Sequence, residues 1–268
     1  MTDRLVSGFR TYVYTGGKRL DCALPAVVFL HGAQQDHSCW TLQSRWFAYH
    51  GYAVLAPDLP GHGRSGGTPL ASVEAIADWT IGLLDACGIG QAILVGHSMG
   101  SLAALDAAAR HAERVSALVL IGTSVPMAVS EALLAAAAED EPRAMAMING
   151  WSHSPRGLIG GNAVPGLWMP GVNQRLMERQ SPGVIGNDLA ACHAYAGGTA
   201  AAAAVSARRC PTLIVAGTRD LMTPARNTLR LTEMLPHAKR VNLPGAGHAM
   251  MAEQPDALLD ALIEFTHG

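Results

Sequence analysis

No apolar run in this chain approaches the roughly 18 to 20 residues that a helix needs to cross a bilayer. Charge is scarce too: Lys, Arg, Asp and Glu make up 15% of the 268 residues, the formal net charge is −2, and aromatics contribute 5%. Without a Lys/Arg cluster the chain has no electrostatic footprint for a nucleic-acid or anionic-membrane partner. Apolar residues reach 49%, which excludes a disordered chain and supplies enough material for a full core. The cysteines at 22, 39, 87, 192 and 210 are odd in number and form no CxxC pair, so they read as reduced residues acting as small hydrophobes. Met1-Thr2-Asp3-Arg4-Leu5 lacks the basic stretch and apolar segment of a secretory signal. These absences lead to the expectation of a cytoplasmic protein with a small-molecule partner and no membrane or nucleic-acid partner. They leave open whether copies of the chain form a homo-oligomer.

What is present is alternation. Continuous apolar runs at 26–30, 52–56, 92–96, 115–121 and 212–217 read as strands covered on both faces, with a further strand at 240–243. Helical periodicity separates them, at about 41–49, 73–87, 99–112, 224–234 and 255–266. Strands alternating with helices predict an α/β class with a mostly parallel central sheet. At the start, 5–14 and 19–24 read as two antiparallel strands joined through Thr15-Gly16-Gly17-Lys18. The stretch 125–208 has a different texture: no strand alternation, and helices near 130–140, 142–149, 173–179, 185–195 and 199–207 broken by Pro/Gly turns. The expected organisation is a core of residues 1–124 and 209–268 carrying a helical cap, or lid, at 125–208.

Gly96-His97-Ser98-Met99-Gly100 leaves an apolar strand and opens a helix, the context that makes G-x-S-x-G a nucleophile elbow. A serine hydroxyl is a weak nucleophile at neutral pH and needs a base, which needs a third group to orient it. Of eleven histidines, only His248 sits in a Gly-rich turn, Pro244-Gly245-Ala246-Gly247-His248, between the last strand and the last helix. Asp220, in Gly217-Thr218-Arg219-Asp220, leaves the preceding strand at the same sheet edge. Asp140, Asp188 and Glu253 do not follow strand ends and read as solvated or capping carboxylates.

In these motifs and their order the chain resembles the α/β-hydrolase-fold family over nearly its whole length, with the cap its least typical part. The resemblance extends to Leu30-His31-Gly32-Ala33, similar to the family's oxyanion loop. It implies that the N–H groups of Ala33 and Met99 hold a developing oxyanion. Asp58-Leu59-Pro60-Gly61-His62-Gly63-Arg64-Ser65 resembles a loop that braces the rim of the site. Ser101 departs from the glycine that often follows the elbow. Gly61, Gly63 and Gly66 also satisfy G-x-G-x-x-G, but Pro69 and Leu70 intervene before the helical pattern, so no dinucleotide turn is expected. His31, Asp36, His37 and His62 lack metal-ligand spacing, and His97 reads as a packing residue. Neither a metal nor another cofactor is expected.

The resemblance also narrows the chemistry, because haloalkane dehalogenases and epoxide hydrolases of this fold use a carboxylate where this chain has Ser98. The Gly-Gly-Ser-Trp elbow of prolyl iminopeptidases and the His-Gly-Gly-Gly run of many lipases are missing. What remains is hydrolysis of a small to medium carboxylic ester or thioester through an acyl-enzyme. Met145, Met147, Trp151, Leu167, Trp168 and Met169 of the cap, with Trp40 and Met222, are candidate pocket residues; core of the cap is the competing reading for the cap residues. The alternatives are the same triad turned to C–C bond hydrolysis, cofactor-free haloperoxidase or lyase chemistry, or a ligand receptor without turnover.

Overall fold

The apolar runs form strands buried from end to end. In the computed structural model, which describes residues 2–161 and 166–267, these are β3 (Ala26–Leu30), β4 (Ala53–Pro57) and β7 (Thr212–Gly217). With β1 (Thr2–Val6), β2 (Phe9–Tyr14), β5 (Ala92–His97), β6 (Val115–Ile121) and β8 (Lys239–Leu243) they make one eight-stranded sheet, ordered β1-β2-β4-β3-β5-β6-β7-β8. From β4 to β8 the pairing is parallel, and β1 and β2 add an antiparallel edge.

That edge differs from the sequence expectation. The hairpin turns at Ser7-Gly8, whose φ values of 51° and 82° suit a turn that needs positive φ at both central residues. Residues 19–24 are not a strand. Gly16 instead lets the following loop press on the next helix: a Cβ there would lie 2.4 Å from the Ala48 side chain.

Helices α1 (Thr41–Tyr49), α2 (Val73–Ala86) and α3 (Met99–Arg110) follow β3, β4 and β5. Ser72 caps α2 by accepting the Ala75 N–H, and the apolar stripe Val73, Ile76, Ala77, Leu83 and Leu84 is buried. Between β6 and β7 stand α4 (Glu131–Glu139), α5 (Glu141–Ser152), α6 (Pro155–Leu158), α7 (Met169–Glu178), α8 (Val184–Ala194) and α9 (Gly198–Ala207). Residues 162–165 of the expected cap span lie outside the described residues. α10 (Ala225–Met234), α11 (Met250–Glu253) and α12 (Pro255–His267) complete the chain. No helix among the described residues is long and apolar enough to cross a membrane.

Two apolar clusters cover the two sheet faces. One gathers residues of α2, α3, α9 and α10; the other gathers residues of α1, α11 and α12. A third lies within α4, α5, α7 and α8, the inserted segment itself. α9 packs on α3 with Ala201, Ala202 and Val205 in the first of these clusters, so this last inserted helix belongs by packing to the sheet layer. After β3 the chain crosses to β4 on one side and returns to β5 on the other. The loops after β3 and β5 therefore diverge and leave a crevice at the carboxyl ends of the strands, where ligands bind open α/β sheets.

Candidate active site

The turn from β5 into α3 places Ser98 in that crevice. Ser98 has φ 52° and ψ −118°, a strained conformation for a non-glycine residue. Only glycine fits on either side: a Cβ on Gly96 would lie 2.2 Å from the Gly100 carbonyl oxygen, and one on Gly100 2.4 Å from the Leu30 carbonyl oxygen. The Ser98 N–H donates to the Ile121 carbonyl at 2.9 Å, and Ser101 Oγ donates to the Ser98 carbonyl at 2.5 Å. Ser101 thus ties the elbow from within α3, which accounts for a hydroxyl where the resemblance led to a glycine.

Asp220 and His248 come from the loops after β7 and β8, adjacent parallel strands. His248 Nδ1 donates to Asp220 Oδ2 at 2.8 Å, leaving Nε2 with its lone pair free. Asp220 is buried, and its Oδ1 accepts the N–H groups of Met222 and Thr223, each at 2.8 Å. Thr223 Oγ1 donates to Asp220 Oδ2 at 2.7 Å. Burial alone would raise the Asp220 carboxyl, but the charge and hydrogen bond of His248, with the Thr223 bonds, hold it below the ordinary aspartate value. His97 lies beneath: its Nε2 donates to the His248 carbonyl at 2.9 Å, and burial, with the neighbouring His248, pulls its pKa to about 3. Ser98 and His248 both line one cavity of about 370 Å³, and among the described residues Ser98 Oγ makes no hydrogen bond to His248. Such bonds are often long without substrate and tighten once it binds.

The loop after β3 supplies Ala33. Gln34 follows with φ 57°, held by two groups of the inserted segment: its N–H donates to Asp188 Oδ2 at 2.8 Å and its Nε2 to the Met177 carbonyl at 3.0 Å. The Ala33 N–H has no partner among the described residues. Met99 opens α3, so its N–H has no intrahelical acceptor. Below the loop, His31 Nδ1 donates to the Gly32 carbonyl at 2.9 Å while Nε2 accepts the Leu59 N–H at 3.1 Å. Burial, with the nearby His62 charge, brings His31 to about 4, in keeping with this neutral bridging role.

The segment 58–65 is a brace. Asp58 Oδ1 accepts the His37 N–H and ring Nδ1–H at 2.8 and 2.6 Å, and Oδ2 accepts the Arg64 N–H at 2.9 Å. Gly61 and Gly63 have φ 76° and 51° and shape this loop, and α2 begins only at Val73. Asp36, His37 and Asp58 have candidate metal-binding atoms within 4.8 Å of one another. These atoms are engaged: Asp36 Oδ1 accepts from Ser38, and Asp36 Oδ2 pairs with Arg179 at 2.6 Å.

The structure corrects several sequence readings. Of the pocket candidates, Trp151 and Met222 line the cavity. Trp40 is fully buried against Phe29 under the sheet, Met145 lies in the core of the inserted helices, and Trp168 is 66% exposed, lining only a surface hollow. An apolar side chain serves core and pocket equally, so type and position do not separate them. Asp140 does cap α5, accepting the Arg143 N–H at 3.1 Å, but neither Asp188 nor Glu253 is solvated. Asp188 pairs with His62 Nε2 at 2.9 Å, and Glu253 accepts the Gly247 and Ser154 N–H groups at 2.8 and 3.0 Å, joining the His248 loop to α6. Sequence reasoning misses Thr223, although a hydroxyl three residues after an aspartate is a local signal for a turn closed by that carboxylate. It also misses Met127, Leu133, Ile148 and Leu189 of the cavity wall, which carry no such signal.

Residues 27–261 match the sequence profile of the alpha/beta hydrolase family. A pimeloyl-[acyl-carrier protein] methyl ester esterase of Aromatoleum aromaticum is 30% identical over 246 residues, covering 87% of this chain and 94% of that protein. An epoxide hydrolase of Caballeronia sordidicola is 38% identical over 134 residues, 47% of this chain and 40% of that protein. The chain thus spans about two fifths of the length of such curated relatives. The crystal structure of an enol-lactonase from Burkholderia xenovorans LB400 superposes with a TM-score of 0.86 at 21% identity, covering 100% of both chains, and shares the fold.

Proposed function

Because the chain belongs to the alpha/beta hydrolase family, we propose that it is a serine hydrolase of small to medium carboxylic esters or thioesters. Ser98 Oγ attacks the carbonyl carbon while His248 Nε2 takes the hydroxyl proton, then passes it to the departing alcohol or thiol. Water, deprotonated by the same nitrogen, releases the acid from the acyl-enzyme. Asp220 holds His248 in the tautomer this requires, and the Ala33 and Met99 N–H groups receive the oxyanion. Each such donor is worth about 10² to 10³ in rate.

The observation that carries the reading is the 2.8 Å bond from His248 Nδ1 to Asp220 Oδ2, with His248 on the cavity that Ser98 lines at positive φ. Ring opening of an epoxide through a covalent ester needs a carboxylate nucleophile, and the apex residue here is a serine. The apolar wall of Met127, Val129, Leu133, Ile148 and Leu189 suits an alkyl or aryl portion of the substrate.

Intact-mass spectrometry after incubation with a reactive fluorophosphonate tests the assignment. One adduct on the wild type, absent from Ser98→Ala, is the expected result. Labelling that survives in Ser98→Ala, or turnover of p-nitrophenyl butyrate above about 1% in that variant, sinks it.

A further inference from the structure

The Ala33 N–H can serve a developing oxyanion only if the peptide planes on either side of Ala33 are held. The plane before it is held from within the core. The Gly32 carbonyl accepts from His31 Nδ1 at 2.9 Å and from the Gln35 N–H at 3.3 Å. A trans peptide sends its carbonyl and its N–H to opposite sides, so the Ala33 N–H leaves on the other side of that plane. The plane after it is held from the inserted helices. The Gln34 N–H donates at 2.8 Å to Oδ2 of Asp188, which stands on α8, 154 positions along the chain and 1% exposed. The same oxygen pairs with His62 Nε2 at 2.9 Å, while His62 Nδ1 meets the Pro60 carbonyl at 2.9 Å. Both His62 ring nitrogens face acceptors, so the ring makes both bonds as a cation, and its charge holds Asp188 Oδ2 where Gln34 needs it. Gln34 itself sits at φ 57°, a sparsely populated conformation that a non-glycine residue keeps where its surroundings enforce it.

We propose that Asp188 is a positioning residue for the hydrolytic reaction: from the inserted helices it fixes the Gln34 peptide and so aims the Ala33 N–H at the oxyanion. The proposal rests on the serine-hydrolase reading, in which Ala33 and Met99 supply the oxyanion donors. Asp188 is not in the wall of the cavity and acts through the loop alone. Gln34 Nε2 strengthens the hold from the same side by donating to the Met177 carbonyl of α7 at 3.0 Å. The inserted helices thereby become part of the machinery, because among the described residues the loop's own contacts hold the first of the two planes and the insert holds the second. A purely cohesive carboxylate is the competing role, and the two differ in where a loss registers. A cohesive tie affects melting. An aiming tie affects the transition state, since acylation and deacylation both pass through an oxyanion. A misplacement of about 1 Å at such a donor is enough for about a hundredfold in rate.

Asp188→Asn and Asp188→Leu separate these roles. Both end the charge pair with His62 and both are close to aspartate in shape, but only asparagine keeps an oxygen for the Gln34 N–H. With p-nitrophenyl butyrate, well below each melting temperature, Asp188→Leu should lose about 10- to 100-fold in kcat at a KM within about threefold of wild type. Asp188→Asn should recover most of that rate. A trifluoromethyl ketone, whose adduct with Ser98 sets an oxyanion in the same place, should inhibit Asp188→Leu more weakly than wild type by a similar factor. Tyr195→Phe is the control: it removes another buried bond between the insert and the core, the 3.0 Å contact with Asp106 of α3. It should lower the melting temperature without moving kcat or ketone affinity. Cooperative melting verifies folding, and Asp188→Ala, which leaves room for water beside His62, replaces the leucine variant if that one does not fold. The proposal is overturned if the variant without an acceptor keeps kcat and ketone affinity within about threefold of wild type, or if asparagine falls as far as leucine. Failure of the serine-hydrolase reading looks different: the wild type itself forms no fluorophosphonate adduct and turns over no ester.

Discussion

At the scale of single residues the candidate site is a set of enforced close approaches. Ser98 reaches the cavity because Gly96 and Gly100 have no Cβ to collide with backbone carbonyls, and Ser101 ties the turn shut. Gly100→Ala is therefore expected to destabilise the protein by about 3 kcal/mol or more, since the obstructing atoms are backbone and cannot swing aside. Denaturant unfolding measures this, and a change under about 1 kcal/mol would show that the elbow has slack. Asp220→Asn preserves shape but lets the amide N–H face His248, so kcat should fall by two to four orders of magnitude with the fold intact. A rate within tenfold of wild type would move the orienting role to another group. The approach of Asp220 to His248 is legible in the amino-acid sequence, because both residues follow the ends of strands that its apolar runs mark out. The support from Thr223 is not inferred there, and the burial of Trp40 and Met145 cannot be, because an apolar side chain carries no mark of which cavity or core it faces.

At the scale of elements the inserted helices are fastened to the sheet by polar ties. Gln34 donates to Asp188 and Met177, Gly63 to Gln180, Asn187 to Leu70, and Tyr195 to Asp106. The buried His62–Asp188 ion pair adds a tie that can titrate near neutral pH. Burial alone would lower His62, but the charge and hydrogen bond of Asp188 hold it above the ordinary histidine value. A raised histidine stabilises the folded chain fully below the unfolded value of about 6.5, and that contribution is lost as pH rises through the folded value. The stability difference between wild type and Asp188→Asn should thus be largest near pH 6, about 2 kcal/mol, and shrink toward pH 9. Melting curves across that range check it; a gap independent of pH would mean that His62 does not titrate against Asp188. Five of the six described helices of this segment are readable in the sequence, as in Ser130 before α4, and the short α6 is not. The packing of α9 on α3 is not, since an alanine-rich helix offers a small apolar surface on every side.

At the scale of the whole molecule the candidate substrate space is a gap between layers. The cavity of about 370 Å³ lies between the sheet-edge loops and the inserted helices and is at the small end of ligand sites. If it receives the acyl chain, each added methylene that finds apolar wall contributes about 0.8 kcal/mol, or about fourfold in kcat/KM. A panel of p-nitrophenyl esters should rise at that rate from acetate and then fall once the chain outgrows the cavity. A flat profile would place the acyl group elsewhere. By itself the sequence determined the alternation of strands and helices, the elbow at Ser98 and the sheet edge from which Asp220 and His248 arise. These depend on local periodicity and on chain order, which a linear string carries in full. Only the tertiary structure decided which apolar residues line the cavity and that Asp188 and Glu253 are buried ties rather than solvated carboxylates. Burial and the pairing of polar atoms are properties of what the rest of the chain brings near, and those neighbours lie far away in sequence.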